Sequence, residues 1–380
     1  MKIQSYFISF SKSSRSFIFA MLAIITPFYL ARFVNVFDVG IIVLFSIAFS
    51  TFIIYLFPAM QIKNSYKMYI ISGALAIALL LNFIFYDFYV FIISIMLGSI
   101  SLSGRDISPN QPIEQYAMSY YETDAKGKGR AFSLYNFFSY GAAIIASIFL
   151  FLYTDINYRI VFFILTVIAL CQFILYLFIR FPQNKRMVAK DLNPETRKHV
   201  FSLSYLFSMD ALAGGFVTIS MISLYFKYVY HISLSTAGLI FIGVNVITTI
   251  SILISPLISE KIGLIRTMVY THSVSNIFLM LVPVIHVLAI SEIFLFLRQT
   301  TSQMDVPARD TLINTIIEPD YRIKSNSIFS AVRNGSMIPG PGIVGALMSI
   351  FPPFMFLAGG GLKLSYDIIF FIKYRKIRIE

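Results

Sequence analysis

Apolar runs of about twenty residues recur along the whole chain, separated by short polar connections. Each run is long enough to cross ~30 Å of hydrocarbon as a helix. The pattern predicts twelve spans, near 14–36, 39–60, 68–86, 88–112, 131–153, 160–181, 205–226, 237–258, 267–288, 291–317, 327–350 and 354–373. Membrane barrel strands alternate over ~10 residues instead of forming long apolar runs. The fold class expected is therefore an all-α membrane protein.

Two of these spans are unusually polar. The stretch 291–317 carries Arg298, Asp305, Arg309 and Asp310, with Pro307 among them. Read as one helix at ~100° per residue, it places Arg298, Asp305 and Arg309 on one stripe. Such a stripe cannot face lipid and needs a wet cavity or a polar partner. The stretch 88–112 is apolar to Gly104 and polar beyond it, with Arg105, Asp106 and Glu114 on or just below the span.

Charge then sets the topology. Thirty Lys and Arg against eighteen Asp and Glu leave a net charge of +12. The positive-inside rule accounts for that excess, so no nucleic-acid partner is expected. With both termini inside, twenty-two basic residues fall in inside segments, including Lys2, Lys12 and Arg15 before the first span. Two, Arg159 and Lys227, fall outside, and six lie within spans: Arg32, Arg105, Arg298, Arg309, Arg333 and Lys363. Arg266 and Arg322 are both inside by this count, so the chain crosses twice between them. The polar stretch 291–317 must be one of those crossings.

Composition agrees with this reading. Hydrophobic residues make up 58% of the chain and charged residues 13%, with a mean hydropathy of +0.79, whereas soluble chains are closer to half apolar and a quarter charged. The N-terminal run is long and lacks a small-residue cleavage site, so it reads as a retained span and not a signal peptide. The single cysteine, Cys171, rules out a disulfide framework. The four histidines, His199, His231, His272 and His286, show no metal-ligand spacing. No G-x-x-x-x-G-K-[ST] phosphate loop is present. The sequence implies no metal or other cofactor and no ATP-driven step.

The connection 182–204 holds a basic cluster and Asn193-Pro194, and it divides the spans six and six. The halves correspond. Pro58 and Lys63 match Pro256 and Lys261 at an offset of 198, as Asn136 matches Asn334. Pro112-Ile113-Glu114-Gln115 matches Pro307-Ala308-Arg309-Asp310 at 195. Offsets that agree over half a chain indicate a parallel repeat. The domains expected are an N-terminal bundle at 1–181, a cytoplasmic linker at 182–204 and a C-terminal bundle at 205–380.

Six plus six spans, a basic middle loop and both ends inside resemble the major facilitator superfamily of secondary transporters, in its prokaryotic permease form. The superfamily signature G-x-L-A-D-R-x-G-R-R follows spans two and eight. Here the eighth connection reads Pro256-Leu257-Ile258-Ser259-Glu260-Lys261-Ile262-Gly263, which keeps an acid, a base and the last glycine. The first-half copy, Pro58 to Ser65, keeps only Lys63. The resemblance implies two pseudo-symmetric six-helix bundles with spans one, four, seven and ten lining a central cavity. It implies a gating role for Glu260, Lys261 and Gly263, and cavity positions for Arg105, Asp106, Glu114, Asp210, Arg298, Asp305, Arg309 and Asp310. Glu114 and Arg309, at equivalent repeat positions, are candidates to pair across the two halves, and Asp305 with Arg309 four residues on is the alternative. Asp210 and Asp305 are candidate carriers of a coupling proton. Lys363 and Asp367, four apart on span twelve, read as a structural ion pair. Span eleven contains Gly340-Pro341-Gly342, similar to the superfamily's antiporter motif, but that motif belongs in span five.

The function these features imply is a secondary transporter of a small solute, monomeric, with protons as candidate coupling ion. It would be multi-pass in the plasma membrane with cytoplasmic termini. The alternatives are a membrane-embedded enzyme, for which no nucleophile–base constellation is evident, and a non-transporting lipid-interacting protein.

Overall fold

The computed structural model describes residues 2–104, 106, 108–122, 124–153, 157–183, 191–318 and 321–375, without the side chains at 58, 59, 125, 126, 310, 314, 315 and 323. The helices in the first half of the chain are α1 (Ile3–Leu30), α2 (Val36–Ala59), α3 (Asn64–Phe85), α4 (Phe88–Leu97), α5 (Asn110–Tyr121), α6 (Ala125–Leu152) and α7 (Tyr158–Leu177). They are followed by α8 (Pro194–Phe216), α9 (Ile219–Tyr230), α10 (Leu234–Ile262), α11 (Leu264–Leu281) and α12 (Leu288–Thr301). The last four are α13 (Asp305–Ile316), α14 (Arg322–Met337), α15 (Pro339–Met348) and α16 (Phe354–Tyr374). Each expected span overlaps at least one helix, and the fourth, seventh, tenth and eleventh are interrupted. Among the described residues, eight helical stretches are long and apolar enough to cross a membrane: Ile3–Leu30, Val36–Phe57, Asn64–Phe85, Gly127–Leu152, Tyr158–Leu177, Pro194–Tyr230, Leu234–Ile262 and Phe354–Tyr374.

Short polar residues start these helices by accepting from backbone N–H groups that have no partner within the helix. The Asn35 side chain accepts from the Asp38 N–H at 3.0 Å, and Asp87 accepts from those of Tyr89 and Val90 at 2.8 and 3.2 Å. Asn193 accepts from the Thr196 N–H at 2.7 Å, with Pro194 in the first turn. That cap starts α8 eleven residues before the expected seventh span, so Asn193-Pro194 opens a helix where the sequence suggested a loop. Gly263, at φ +87°, stands between α10 and α11 in the left-handed region where glycine is favoured.

The expected fourth span is not one helix. It stops at Leu97, and α5 begins only at Asn110. Gly98, the serines at 99, 101 and 103, Gly104 (φ +78°) and Pro109 all disfavour helix in this stretch. The exposed polar backbone finds partners within the same unit. The Leu102 N–H donates to Ser46 Oγ at 3.2 Å, and Ser103 O accepts from the Ile219 N–H at 3.2 Å. The tenth span also breaks, between Thr301 and Asp305. The single stripe expected for Arg298, Asp305 and Arg309 is therefore split, with Arg298 on α12 and the other two on α13.

The chain forms two compact units. Unit 1 is Met1–Arg186 with Ile219–Ile242, and unit 2 is Met187–Thr218 with Gly243–Glu380. In unit 1, α1 packs against α5, α6, α7 and α9, and α3 against α7. Residues Ile18–Leu30 of α1 are all buried, as expected of a helix enclosed by others. Residues Ile219–Ile242, which are α9 and the start of α10, also belong to this unit. Ser220 Oγ donates to the carbonyls of Ala23 (2.9 Å) and Leu102, and Ser223 Oγ donates to that of Ile24 at 2.9 Å. In unit 2, α8 packs on α14, α15 and α16, and α11 on α12, α13 and α16. Large apolar side chains such as Ile93, Leu152, Leu253 and Ile350 are exposed. In a chain of this hydropathy such faces meet lipid, not water.

The α8–α15 contact leaves no room for side chains at two positions. A Cβ at Gly340 would lie 2.4 Å from the Gly215 carbonyl carbon, and one at Gly215 would lie 2.4 Å from Met337 O. Both obstacles are backbone, which cannot rotate away. Gly340→Val should cost about 3 kcal/mol, the upper end of overpacking penalties. Gly361→Val, with nothing within 4 Å of its Cβ, should cost far less. Melting curves followed by size-exclusion recovery in detergent will show whether the two variants differ.

Candidate functional site

Each unit encloses a cluster of charged side chains. In unit 1, α1 contributes Lys12 and Arg15, the unwound segment Asp106, α5 Asn110 and Glu114, α6 Tyr135, and α7 Gln172 and Tyr176. Arg15 is 1% exposed and Glu114 is fully enclosed. The guanidinium bridges two carboxylates. Nε and Nη2 donate to Asp106 Oδ1 and Oδ2, both at 2.8 Å. Nη1 and Nη2 donate to Glu114 Oε1 at 3.0 Å and Oε2 at 2.7 Å. Nη1 also donates to Tyr176 Oη at 2.9 Å. All five N–H donors of the arginine are thereby used.

Glu114 is equally saturated. Besides Arg15 it accepts from Tyr176 Oη at 2.5 Å and from Tyr135 Oη at 2.7 Å, which fills the capacity of a carboxylate. Tyr176 is held by Gln172, one turn back on α7, at 3.1 Å. Lys12 ion-pairs with Asp106 and lies 5.1 Å above the Tyr135 ring. Two cations and two anions cancel. Balance of this kind is what allows charges to remain ionised in a low-dielectric interior.

In unit 2, α8 contributes Asp210, α11 His272, Ser273 and Asn276, α13 Asp305 and Arg309, and α16 Lys363 and Asp367. Lys363 Nζ ion-pairs with Asp210. His272 Nδ1 lies 2.7 Å from Asp367 Oδ1, and its Nε2 lies 3.6 Å from Asp210 Oδ1. Asn276 Nδ2 donates to Asp367 Oδ2 at 2.9 Å, and Ser273 Oγ to the same oxygen at 3.3 Å. Arg309 Nη1 donates to Asp305 Oδ2 at 2.9 Å across one turn of α13. The charges of Arg309 and Arg333 also act on Asp210.

Several expected residues come together, though not always with the expected partner. Glu114 and Arg309 each have partners inside their own unit, Arg15 and Asp305. Lys363 and Asp367 do not form the i,i+4 pair. Packing of α16 on α8 and α11 gives Lys363 to Asp210 and Asp367 to His272. Arg298 is buried in the last turn of α12. Glu260 and Lys261 are exposed at the end of α10, with Gly263 following. Arg105 and the side chain of Asp310 lie outside the described residues.

The clusters also contain residues the sequence reading placed elsewhere. Lys12 and Arg15 were counted in an inside segment, yet α1 starts at Ile3 and buries both. His272 shows no metal-ligand spacing to the other histidines, and its i,i+4 spacing to Asn276 is the signal the sequence carries. One regularity emerges only with the contacts in view. Asp210 follows Arg15 by 195 residues, and Arg309 follows Glu114 by 195. The two halves place charge at the same repeat positions with the signs exchanged.

Comparison with known proteins agrees with this architecture. No protein-family model matches the sequence. The uncharacterized membrane protein YJR124C of Saccharomyces cerevisiae is 26% identical over 180 residues, covering 47% of this chain and 40% of that protein. The chain thus matches less than half the length of this curated relative. Among solved structures, the nucleoside transporter NupG superposes with a TM-score of 0.75 at 12% identity, over 99% of this chain and 100% of that one. A bacterial homologue of the human lysosomal transporter Spinster, inward-facing and occupied, gives 0.72 at 14% identity over 98% and 96%. A D-xylose–proton symporter gives 0.72 at 13% identity over 97% of each chain. The chain is a multi-pass membrane protein with the fold of the major facilitator superfamily of secondary transporters.

Proposed function

We propose that the chain is a secondary transporter that carries a small solute by alternating access, with protons as the coupling ion. The observation that supports this best is the pair of buried charge clusters at matching repeat positions. Charged side chains in spanning helices are costly and are kept where transport or coupling uses them. The organisation proposed is twelve crossings in two bundles, 1–181 and 205–380, joined by a cytoplasmic linker at 182–204. Both termini would be cytoplasmic and the protein a monomer of the plasma membrane. The residues proposed to act on solute or proton are Arg105, Asp106, Glu114, Asp210, Arg298, Asp305, Arg309 and Asp310. Glu260, Lys261 and Gly263 are proposed to take part in gating.

Solved proteins of this fold include a nucleoside transporter and a D-xylose–proton symporter, two unlike solutes. The substrate therefore has to be found by a panel. Purified protein should show a raised melting temperature with at least one solute in a set of nucleosides, pentoses and organic anions, since only ligands that bind the folded state do this. Vesicles containing the protein should then accumulate that solute, and an imposed inward proton gradient should change the rate. Vesicles indistinguishable from protein-free controls for every panel member would refute the proposal, and solute uptake indifferent to the gradient would remove proton coupling from it.

A further inference from the structure

We propose that His272 is a proton-binding site, taking one proton on Nε2, and that this proton is the coupling ion of the transport reading above, on which the second half of the statement rests. The argument starts from the hydrogen-bond roles around the ring. His272 is 5% exposed, midway along α11. Asp367 Oδ1 stands 2.7 Å from Nδ1. A carboxylate accepts, so Nδ1 carries a hydrogen and donates it. Asn276 and Ser273 both donate to the other oxygen of Asp367. Those two donors favour the ionised carboxylate, and with it the Nδ1–H tautomer, over the 3.3 Å approach of Asn276 Nδ2 to Nδ1. In the neutral ring Nε2 is then a lone pair, and it faces Asp210 Oδ1 at 3.6 Å. Two acceptors point at each other. A proton on Nε2 turns this contact into an N–H donor opposite an anion, after an approach of a few tenths of an ångström.

The imidazole sits among charges that are otherwise matched. Asp367 on α16 and Asp210 on α8 face it, and the charges of Lys363 on α16 and Asp305 on α13 act on it. The charges of Arg309 on α13 and Arg333 on α14 act on Asp210. α12, also packed on α11, carries Glu292 and, in its last turn, Arg298, and Arg266 lies exposed near the start of α11 itself. The Tyr366 ring meets the imidazole edge-on at 5.9 Å. Three carboxylates are matched by one ammonium and two guanidinium groups, and the histidine sits among them with a transition that ordinarily falls near neutral pH.

Protonation has a structural consequence. Lys363 and the Nε2 proton would share one oxygen, Asp210 Oδ1. Loading the proton weakens the hold of α16 on α8 and strengthens that of α11 on α8.

Histidine labelled with 15N, observed in the full-length protein in nanodiscs, tests the site directly. Four resonance pairs are expected, and His272→Gln removes and so assigns one. That pair should pass from the neutral Nδ1–H tautomer to the doubly protonated ring between about pH 8 and about pH 5. In vesicles tested with [3H]uridine and [14C]xylose, His272→Gln should lose the response to an imposed proton gradient while retaining solute exchange in its absence. A His272 that holds one protonation state across the range overturns the proposal, and so does a His272→Gln protein whose uptake follows the gradient as the parent does. If neither protein moves either solute while His272 titrates, the transport reading loses support and the proton site stands.

Discussion

Arg15→Met should be among the most damaging single substitutions in the chain. It removes five donors at once and leaves Asp106 and Glu114 facing each other's charge with only Lys12 to offset them. Breaking one side of a buried ion pair costs about 3–5 kcal/mol. For a domain this size that corresponds to a fall in melting temperature on the order of 10 °C. Arg15→Lys should recover only part of the loss, because an ammonium cannot reproduce the planar fork that spans two carboxylates. Thermal unfolding in detergent, read by circular dichroism, decides the point. A melting temperature for Arg15→Met within a degree or two of the parent would mean that the cluster is wetter and looser than described.

The second large effect is expected at Lys363. Lys363→Met removes the ammonium paired with Asp210 and should also cost about 3 kcal/mol, whereas Lys363→Met combined with Asp210→Asn should regain most of that loss. The corresponding cycle with Asp367→Asn should show much weaker coupling, because Asp367 is held by His272, Asn276 and Ser273 instead. Equal coupling to the two aspartates would put Lys363 back on its own helix turn and contradict the cross-helix pairing.

That contrast shows where the sequence is informative. Hydropathy located the long helices, because crossing hydrocarbon demands long apolar runs wherever the chain does it. Breaks inside spans were harder to see, although Gly98, Gly104 and Pro109 marked the one in span four. Local spacing proposed Lys363 with Asp367. The partner that prevails, Asp210, lies 153 residues away and is reachable only once α16 packs on α8. The same limit explains Lys12 and Arg15. Counting basic residues by side of the membrane says nothing about depth, and it is the enclosure of α1 by α5, α6 and α7 that buries them. Asp305 and Arg309 were legible as a pair because their partnership is contained in one turn of one helix.

The α9–α10 hairpin bears on how this protein can be taken apart. Residues Ile219–Ile242 are synthesised with the second half but complete the first. A fragment ending in the middle loop would lose the serine hydroxyls and backbone amide that donate to the carbonyls of Ala23, Ile24, Leu102 and Ser103. Cutting the gene at its most obvious seam should therefore give a product that is not self-sufficient, and a two-plasmid version would have to restore that borrowed piece by reassembly.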